Sequence, residues 1–394
     1  MLDTNEQCTS SYETVGSLPL EAVIASARRL EANGGPKVPE TVTSLDDLEI
    51  IGHDVIRTTT QNCAKQEPRM LVSSGGTTGQ PKLTFIPHDQ GITRVSQEWP
   101  ALVPGDTLIN AFHPGRLWGS HYLLQAIAQR QGAGVIPMGS LAADEVAEHI
   151  YALDAARANA ICATPTGAYE FCKGLKQSGS DLQISKILWA GEPWNASMKA
   201  EIFDMYPDVE LWGNYGSIET YQIGNNFPGG ETDVFHLMSD QILELAPEGA
   251  LPTRIGDNWT VPVVRYRLGD RIERAESSCG RGLTFRVVGR SDDAIKFGGT
   301  LFSLGAISDF VLEQTRAPGI QLILKGNKSE GSAKTMEIRI LGQHDADKLH
   351  KALAKQFIDI NVKDHEGNSM LAVKACATLH KNPRTHKTPL VLWV

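Results

Sequence analysis

Hydrophobic positions recur every three or four residues along LEAVIASARRLEA, Leu20 to Ala32, with charged and small residues between them. That spacing predicts an amphipathic helix, and residues 1 to about 68 as a whole read as mostly helical and polar. From Met70 to Phe85 the pattern changes to two short strand-like pieces, MLV and LTF, on either side of a glycine-rich stretch. Beyond them, short apolar runs (DTLINAF, GAGVIPM, ANAICAT and ISKILWAG) alternate with helical patterns such as ADEVAEHIYALDAARA. Alternation of this kind predicts an α/β fold with a largely parallel sheet.

From about Val234 the texture turns to short strands, turns and Pro/Gly, closer to a small β-barrel or meander. A further unit follows VVGRSDD: IQLILKG, TMEIRIL, a helix over DADKLHKALAKQFI and a strand in SMLAVKACATL, a small α+β domain. The boundary falls near Gly289. The expected architecture is a large N-terminal domain of residues 1–288, with parallel α/β sheets plus a small β-barrel, and a small mobile α+β lid of residues 289–394. A chain of 394 residues exceeds the usual size of one core, in agreement with that division. No solenoid-spaced repeat and no low-complexity segment interrupts it.

Composition narrows the function classes. Apolar content of 41% and charged content of 21% are ordinary for a soluble globular protein. The net charge of -9, with no long basic run against it, excludes a generic nucleic-acid binder. No uninterrupted apolar run would span a bilayer, and MLDTNEQCTSSYE lacks the basic start and apolar core of a signal peptide. Cys8, Cys63, Cys162, Cys172, Cys279 and Cys376 are scattered without a C-x-x-C pair, which suits reduced thiols in a cytoplasm. Neither paired cysteines nor H-E-x-x-H marks a metal centre, and lone histidines such as His236 and His380 read as surface or packing residues.

The chemistry concentrates in SSGGTTGQPK, residues 73 to 82. It is not a phosphate loop of the G-x-x-x-x-G-K-[ST] kind, because Lys82 follows Pro81, Leu83 comes next, and a strand rather than a helix follows. The remaining readings are a mobile hairpin turn, or a hydroxyl-rich turn whose N–H groups and Ser73, Ser74, Thr77 and Thr78 hydroxyls close over a triphosphate.

Five further stretches follow in order: AGEPW (190 to 194), NYGSIE (214 to 219), RYRLGD (265 to 270), GRSDD (289 to 293) and PRTHK (383 to 387). Together with the loop they resemble the adenylate-forming superfamily of acyl-CoA synthetases, carrier-loading adenylation domains and luciferases. The GEPW block and ICATPTGAYE look most like phenylacetate-CoA ligases. The resemblance runs from about Met70 to Lys387.

It implies ATP, Mg2+ and coenzyme A, and a role for each matched residue. The turn formed by Ser74, Gly75, Gly76, Thr77, Thr78, Gly79 and Lys82 would hold the β- and γ-phosphates, with Thr78 in the catalytic set. Gly191, Glu192 and Pro193 would border the adenine. Tyr215 would stack near it, with Gly216 and Ser217 facing the α-phosphate. Glu219 would hold Mg2+, Asp270 would accept from both ribose hydroxyls, and Arg290 would sit beside it. Lys387 would be the adenylation lysine, although PRTHKT lacks the glycine that usually precedes it. Asp292 is the hinge candidate. In HPGRLWGSHY, Trp118, His121 and Tyr122 would line the acid pocket, where Arg116 and Trp118 replace the smaller residues of phenylacetate-specific relatives.

The implied reaction is ATP-dependent activation of a carboxylic acid, an aromatic one, followed by transfer to coenzyme A. The alternative is a standalone adenylating enzyme whose acceptor is a phosphopantetheinyl carrier protein, an amine or its own cysteine, with Cys376 the candidate. A degenerate nucleotide sensor is the non-enzymatic alternative, and it would need Asp270 or Lys387 to be lost. A homodimer is an open assembly; nucleic acid and membrane are not expected partners.

Overall fold

Leu20, Val23, Ala27 and Leu30 lie along one face of α1 (Leu20–Ala32), and that face is buried. Pro19 precedes the helix in extended backbone, where its missing N–H costs nothing. The structure, a computed structural model, describes residues 7–63, 69–73, 83–87, 91–115, 117–256, 259–276, 281–290, 294–297, 300–328, 331–357, 360–361, 363, 369–383 and 387–394. The chain divides into two units, Met1–Pro193 with Met205–Arg290, and Trp194–Asp204 with Ser291–Val394.

The first unit holds strands β1 (Thr14–Val15), β2 (Arg69–Ser73), β3 (Leu83–Pro87), β4 (Thr107–Asn110), β5 (Gly134–Ile136), β6 (Ala160–Ala163) and β7 (Lys186–Ala190). After them come β8 (Glu210–Ser217), β9 (Tyr221–Asn226), β10 (Val234–Leu237), β11 (Gln241–Glu244), β12 (Leu251–Arg254), β13 (Asp270–Ala275) and β14 (Thr284–Arg290). Its further helices are α2 (His53–Asn62), α3 (Ile92–Glu98), α4 (Ser120–Arg130), α5 (Ile150–Ala155) and α6 (Pro165–Gln177).

A nine-stranded sheet dominates this unit, in the order β13-β14-β10-β9-β8-β7-β6-β4-β5. From β5 to β8 neighbouring strands are parallel; from β8 to β13 they are antiparallel. All of β6 and the middle of β7 are buried, which explains why these strands are unbroken apolar runs. The chain leaves β4 for β5 on one side and returns past it to β6 on the other. A topological switch point therefore lies between β4 and β6.

The stretch read as a small barrel or meander is divided between two sheets. β11 and β12 form a three-stranded antiparallel sheet with β1, while β10, β13 and β14 extend the large one. ADEVAEHIYALDAARA is not one continuous α-helix: a 3-10 turn over Val146–His149 leads into the short α5. Helix α6 presses on that turn at Gly174, where a Cβ would come within 2.8 Å of Val146 Cβ. The amino-terminal segment is held by a buried guanidinium. Arg265 forks onto Glu244 through Nε (2.9 Å) and Nη2 (2.8 Å), and Nη1 donates to the carbonyls of Leu45 and Leu48.

The second unit contains α7 (Ala196–Met205, whose last residue belongs to the first unit), β15 (Ala294–Phe297), β16 (Thr300–Ser303), α8 (Leu304–Thr315), β17 (Ile320–Asn327) and β18 (Ser332–Leu341). It ends with α9 (Ala346–Gln356), β19 (Leu371–Cys376) and β20 (Val391–Trp393). These strands make a six-stranded sheet around the antiparallel β17–β18 pair, with β15 and β19 both parallel to β18. Alternate residues Met336, Ile338 and Ile340 of β18 face a core that Ile307 and Val311 of α8 and Leu349 and Leu353 of α9 complete. From β15 onward the elements have the α+β character that the sequence pattern predicts, while α7 comes from the stretch that the sequence reading assigns to the large domain.

Candidate active site

In open α/β sheets ligands gather outside the carboxyl ends of parallel strands, next to the switch point. Segments matching the motifs occupy those ends. Ala111–Gly119 follows β4, Thr164 follows β6, Gly191-Glu192-Pro193 follows β7 and Ile218-Glu219-Thr220 follows β8. Thr164 caps α6 by accepting from the Gly167 N–H at 3.1 Å. One turn along, the Thr166 N–H donates to Glu192 Oε2 at 3.4 Å, which joins the β6 and β7 loops. Gly191 has φ 86°, a conformation open to glycine and strained for other residues.

The turn after β8 is built tightly. A register shift between Tyr215 and Gly216 brings the β9 backbone so close that a Cβ on Gly216 would lie 1.7 Å from the Tyr221 carbonyl oxygen. Only glycine fits. Ser217 Oγ and Thr220 Oγ1 are 2.9 Å apart, and each accepts from the other residue's N–H, at 3.1 and 3.2 Å. Tyr221 then adopts φ 61°, a left-handed backbone costing a bulky residue about 1–3 kcal/mol. Glu219, buried in this turn, accepts from the Tyr266 hydroxyl at 2.5 Å. Burial, then the Glu219 charge, pushes the Tyr266 phenol far above its ordinary range, so it stays a neutral donor.

Asp270 opens β13, in register with Arg290 at the end of β14. Its Oδ2 accepts from the Tyr215 hydroxyl at 2.5 Å and its Oδ1 pairs with Arg290 Nη1 at 3.0 Å. The Tyr215 ring packs against Phe235 (centroids 5.2 Å apart) and edge-on to Phe285 (5.6 Å). Burial first, then Asp270, pushes this phenol well up as well. The motifs NYGSIE and RYRLGD are thus joined twice, by Tyr215 to Asp270 and by Tyr266 to Glu219.

The acid-pocket candidates follow β4. Trp118 is buried in the core, edge-on to Phe112 at 5.7 Å. His121 is buried at the start of α4 and its Nδ1 donates to the Phe112 carbonyl at 2.7 Å. Tyr122 is exposed and edge-on to His121. Between them, a Cβ on Gly119 would lie 3.2 Å from Val72 Cγ1 and 3.8 Å from Tyr221 Cε2. The base of the β2–β3 hairpin, the β4 loop and the Glu219 turn therefore converge. Ser73 and Leu83 are register partners, and the Ser73 N–H donates to the Leu117 carbonyl at 2.7 Å, so the stem that carries residues 74–82 is anchored here.

Ser74, Gly75, Gly76, Thr77, Thr78, Gly79, Lys82, Arg116 and Asp292 lie outside the described residues. Lys387, in the second unit, is half-buried, and its carbonyl accepts from the Asn382 N–H at 2.8 Å. Cys376 is half-buried on β19, where burial raises its thiol and Sγ donates to the Ile340 carbonyl at 3.4 Å. Tyr266 and Thr220 were not singled out in the sequence, although both stand inside or beside a matched motif. No group of three or more His, Cys, Asp or Glu side chains that could hold a metal occurs among the described residues. A magnesium ion held by the single hard carboxylate of Glu219, with its other ligands from phosphate oxygens and water, fits that donor set.

No family model matches the chain. A curated relative, the indoleacetate–lysine synthetase of Pseudomonas savastanoi, is 23% identical over 284 residues, covering 70% of this chain and 71% of that protein. Among solved structures, a 2-hydroxyisobutyryl-CoA ligase carrying an acyl-adenylate superposes with a TM-score of 0.66 at 16% identity, over 95% of this chain and 89% of that one. The amide bond synthetase McbA from Marinactinospora thermotolerans gives 0.54 at 16% identity, over 80% and 67% of the two chains. The anthranilate CoA ligase AuaEII gives 0.53 at 17%, over 81% and 65%. The fold is that of the adenylate-forming enzymes, the superfamily whose motifs the sequence resembles.

Proposed function

We propose that this protein joins an aromatic carboxylic acid to ATP as an acyl-adenylate, releasing pyrophosphate, and passes the acyl group to the thiol of coenzyme A. The observation that carries the reading is the convergence at the switch point of the hairpin stem, the β4 loop and the Glu219 turn. The Tyr215–Asp270–Arg290 cluster ends the same strand, β8, from which that turn departs. In this reading the Asp270 carboxylate, with two lone pairs on each oxygen, accepts from the ribose hydroxyls as well as from Tyr215 and Arg290. Ser217 and Thr220 offer hydroxyls toward the α-phosphate. Glu219 holds the magnesium ion, which neutralises phosphate charge when bound. The acid is its own nucleophile, so the protein positions two anions and stabilises charge on the α-phosphorus. Lys387, in the C-terminal lid domain that the sequence places at residues 289–394, supplies the cation for that step, with Asp292 as the hinge candidate. The setting is cytoplasmic, where ATP and coenzyme A are present.

Aromatic acids are favoured because the curated relative is named for indoleacetate and one structural neighbour for anthranilate. The same relative supports a second reading for the acceptor, since its product joins an acid to lysine, and McbA is an amide synthetase. Self-acylation at Cys376 has the weaker support, because a thiol raised by burial is a poor nucleophile near neutrality. ATP–pyrophosphate exchange over a panel of carboxylic acids tests the first half-reaction, with exchange expected for aromatic acids. Adding coenzyme A or lysine and weighing the product separates thioester from amide. Absence of exchange with every acid would overturn the reading.

A further inference from the structure

The turn that carries Glu219 is held from behind by a buried cation. Arg254, at the end of β12 and in register with Gln241 of β11, donates from Nη1 to the carbonyl of Thr220. Its side chain is buried, and its guanidinium carbon lies 3.5 Å from the centre of the Trp259 ring. Trp259 in turn meets the Tyr221 ring edge-on at 6.0 Å. Arg254 and Trp259 therefore grip the two residues after Glu219, one by its carbonyl and one by its ring. The grip falls where the backbone is strained, at the left-handed Tyr221.

Holding one carbonyl does not by itself account for a buried guanidinium. Among the described residues Arg254 Nε has no hydrogen-bond partner, and Asp240, the acid that acts on it most, is engaged through Oδ2 by Arg94 at 2.5 Å. A neutral amide could satisfy the carbonyl at a smaller desolvation cost. What the guanidinium adds is a flat, stacked donor that cannot swing away from the Thr220 carbonyl.

We infer that Arg254, stacked on Trp259, is a positioning residue for Glu219: it fixes the turn so that the carboxylate meets a divalent cation bound to nucleotide phosphates. This rests on the adenylating function proposed above. Arg254 touches neither the metal nor ATP, so its loss should change how well Mg2+ strengthens ATP binding rather than ATP binding itself.

The experiment is equilibrium binding of ATP to the full chain, with and without Mg2+, for wild type, Arg254→Met, Glu219→Gln and the double variant. Methionine keeps an apolar side chain of similar length in the buried site. In Arg254→Met the Mg2+-free affinity should stay within about twofold, while the Mg2+ enhancement falls by about 10-fold or more, the range for partners that orient a metal ligand. The double variant should lose no more than Glu219→Gln alone, and Arg254→Lys, which keeps the charge without the flat stacked fork, should recover only a minor part of the enhancement. An unchanged enhancement in Arg254→Met overturns the inference, as does an equal loss of Mg2+-free binding, which marks a merely structural role. If Arg254→Met fails to fold, Trp259→Phe carries the test: a smaller, selective loss of the enhancement supports the role and none refutes it. Wild type that binds no ATP at all would instead refute the adenylating function, and this role with it.

Discussion

Replacing Asp270 with alanine removes a carboxylate that holds the Tyr215 hydroxyl and Arg290 and that the proposed reaction would use for both ribose hydroxyls. The structural cost can be worked out first. The side chain is only 17% exposed, but it is short and polar, so the main structural loss is the acceptor of the Tyr215 hydroxyl. An orphaned buried donor costs about 1–3 kcal/mol. Arg290, 51% exposed, returns to water, and such a pair contributes about 0–1 kcal/mol. The sum stays below the roughly 5–15 kcal/mol that keeps ordinary domains folded. Asp270→Ala should fold.

The functional cost is separate. Loss of charged hydrogen bonds to the two ribose hydroxyls should remove about 2–4 kcal/mol of transition-state binding, a fall of ~30- to ~900-fold in kcat/KM for ATP. Pyrophosphate exchange measures that fall, and denaturant unfolding measures the structural cost. Tyr215→Phe separates them. In that background no phenol is orphaned, so the stability cost of Asp270→Ala should shrink while the loss toward ATP remains. A folded Asp270→Ala protein with kcat/KM for ATP within about threefold of wild type would refute the ribose role. A loss that disappears in the Tyr215→Phe background would show that Asp270 acts only by holding Tyr215.

Arg265→Ala should destabilise the protein by about 3–5 kcal/mol, because Glu244 is left fully buried without its guanidinium; a denaturant midpoint shift worth less than ~1 kcal/mol would contradict that. Burial alone would raise the Asp106 carboxyl, but hydrogen bonds from Lys186, the Val103 N–H and Asn159 outweigh it and hold the group below the ordinary value of about 3.9. The stability from Asp106 is therefore complete above about pH 4 and is lost as pH falls through its lower folded value. Asp106→Asn should accordingly flatten the acid limb of a stability–pH curve, and an unchanged limb would count against the shift. Lys387→Ala should cut acyl-adenylate formation by ~100-fold or more while sparing thioester formation from preformed acyl-adenylate; equal loss in both half-reactions would move the search to Lys381 or another cation.

Elements whose apolar pattern is local were legible in the sequence. Helix α1 has the predicted bounds, and β4 to β7 fall inside the four apolar runs; burial on both faces accounts for β6 and the middle of β7, while β5, at the sheet edge, is exposed to half-buried. Elements set by distant partners were not. Strand β1 is two residues long and exists because Thr14 and Val15 pair with Glu244 and Leu243. Nothing within the first 68 residues announces that pairing. The division of β10 to β14 between two sheets depends likewise on which strand each meets, while the turns that separate them look alike.

The site was legible to the same degree and for a related reason. Glu219 and Asp270 stand inside contiguous motifs, so position alone marked them, whereas Tyr266 is recognised only when its hydroxyl is seen on a carboxylate 47 residues earlier. Strand β9 carries the point further. YQIGNN is mostly polar and reads as turn or surface, yet all six residues are buried. Asn226 donates to the carbonyls of Glu231 and Val234, and its own carbonyl accepts from Trp99 Nε1. Gln241 donates to the Gln222 carbonyl, and Arg254, the register partner of Gln241, reaches the Thr220 carbonyl. An apolar strand could fill this place at a smaller desolvation cost. A polar one fixes a single arrangement, since every donor misplaced by a slip in register would be stranded in the core. The turn it supports is the one that carries Glu219. The break in the hydrophobic pattern thus lies directly behind the residues that need the most exact placement, and a reader of the sequence would do well to treat such a break as a pointer to the site.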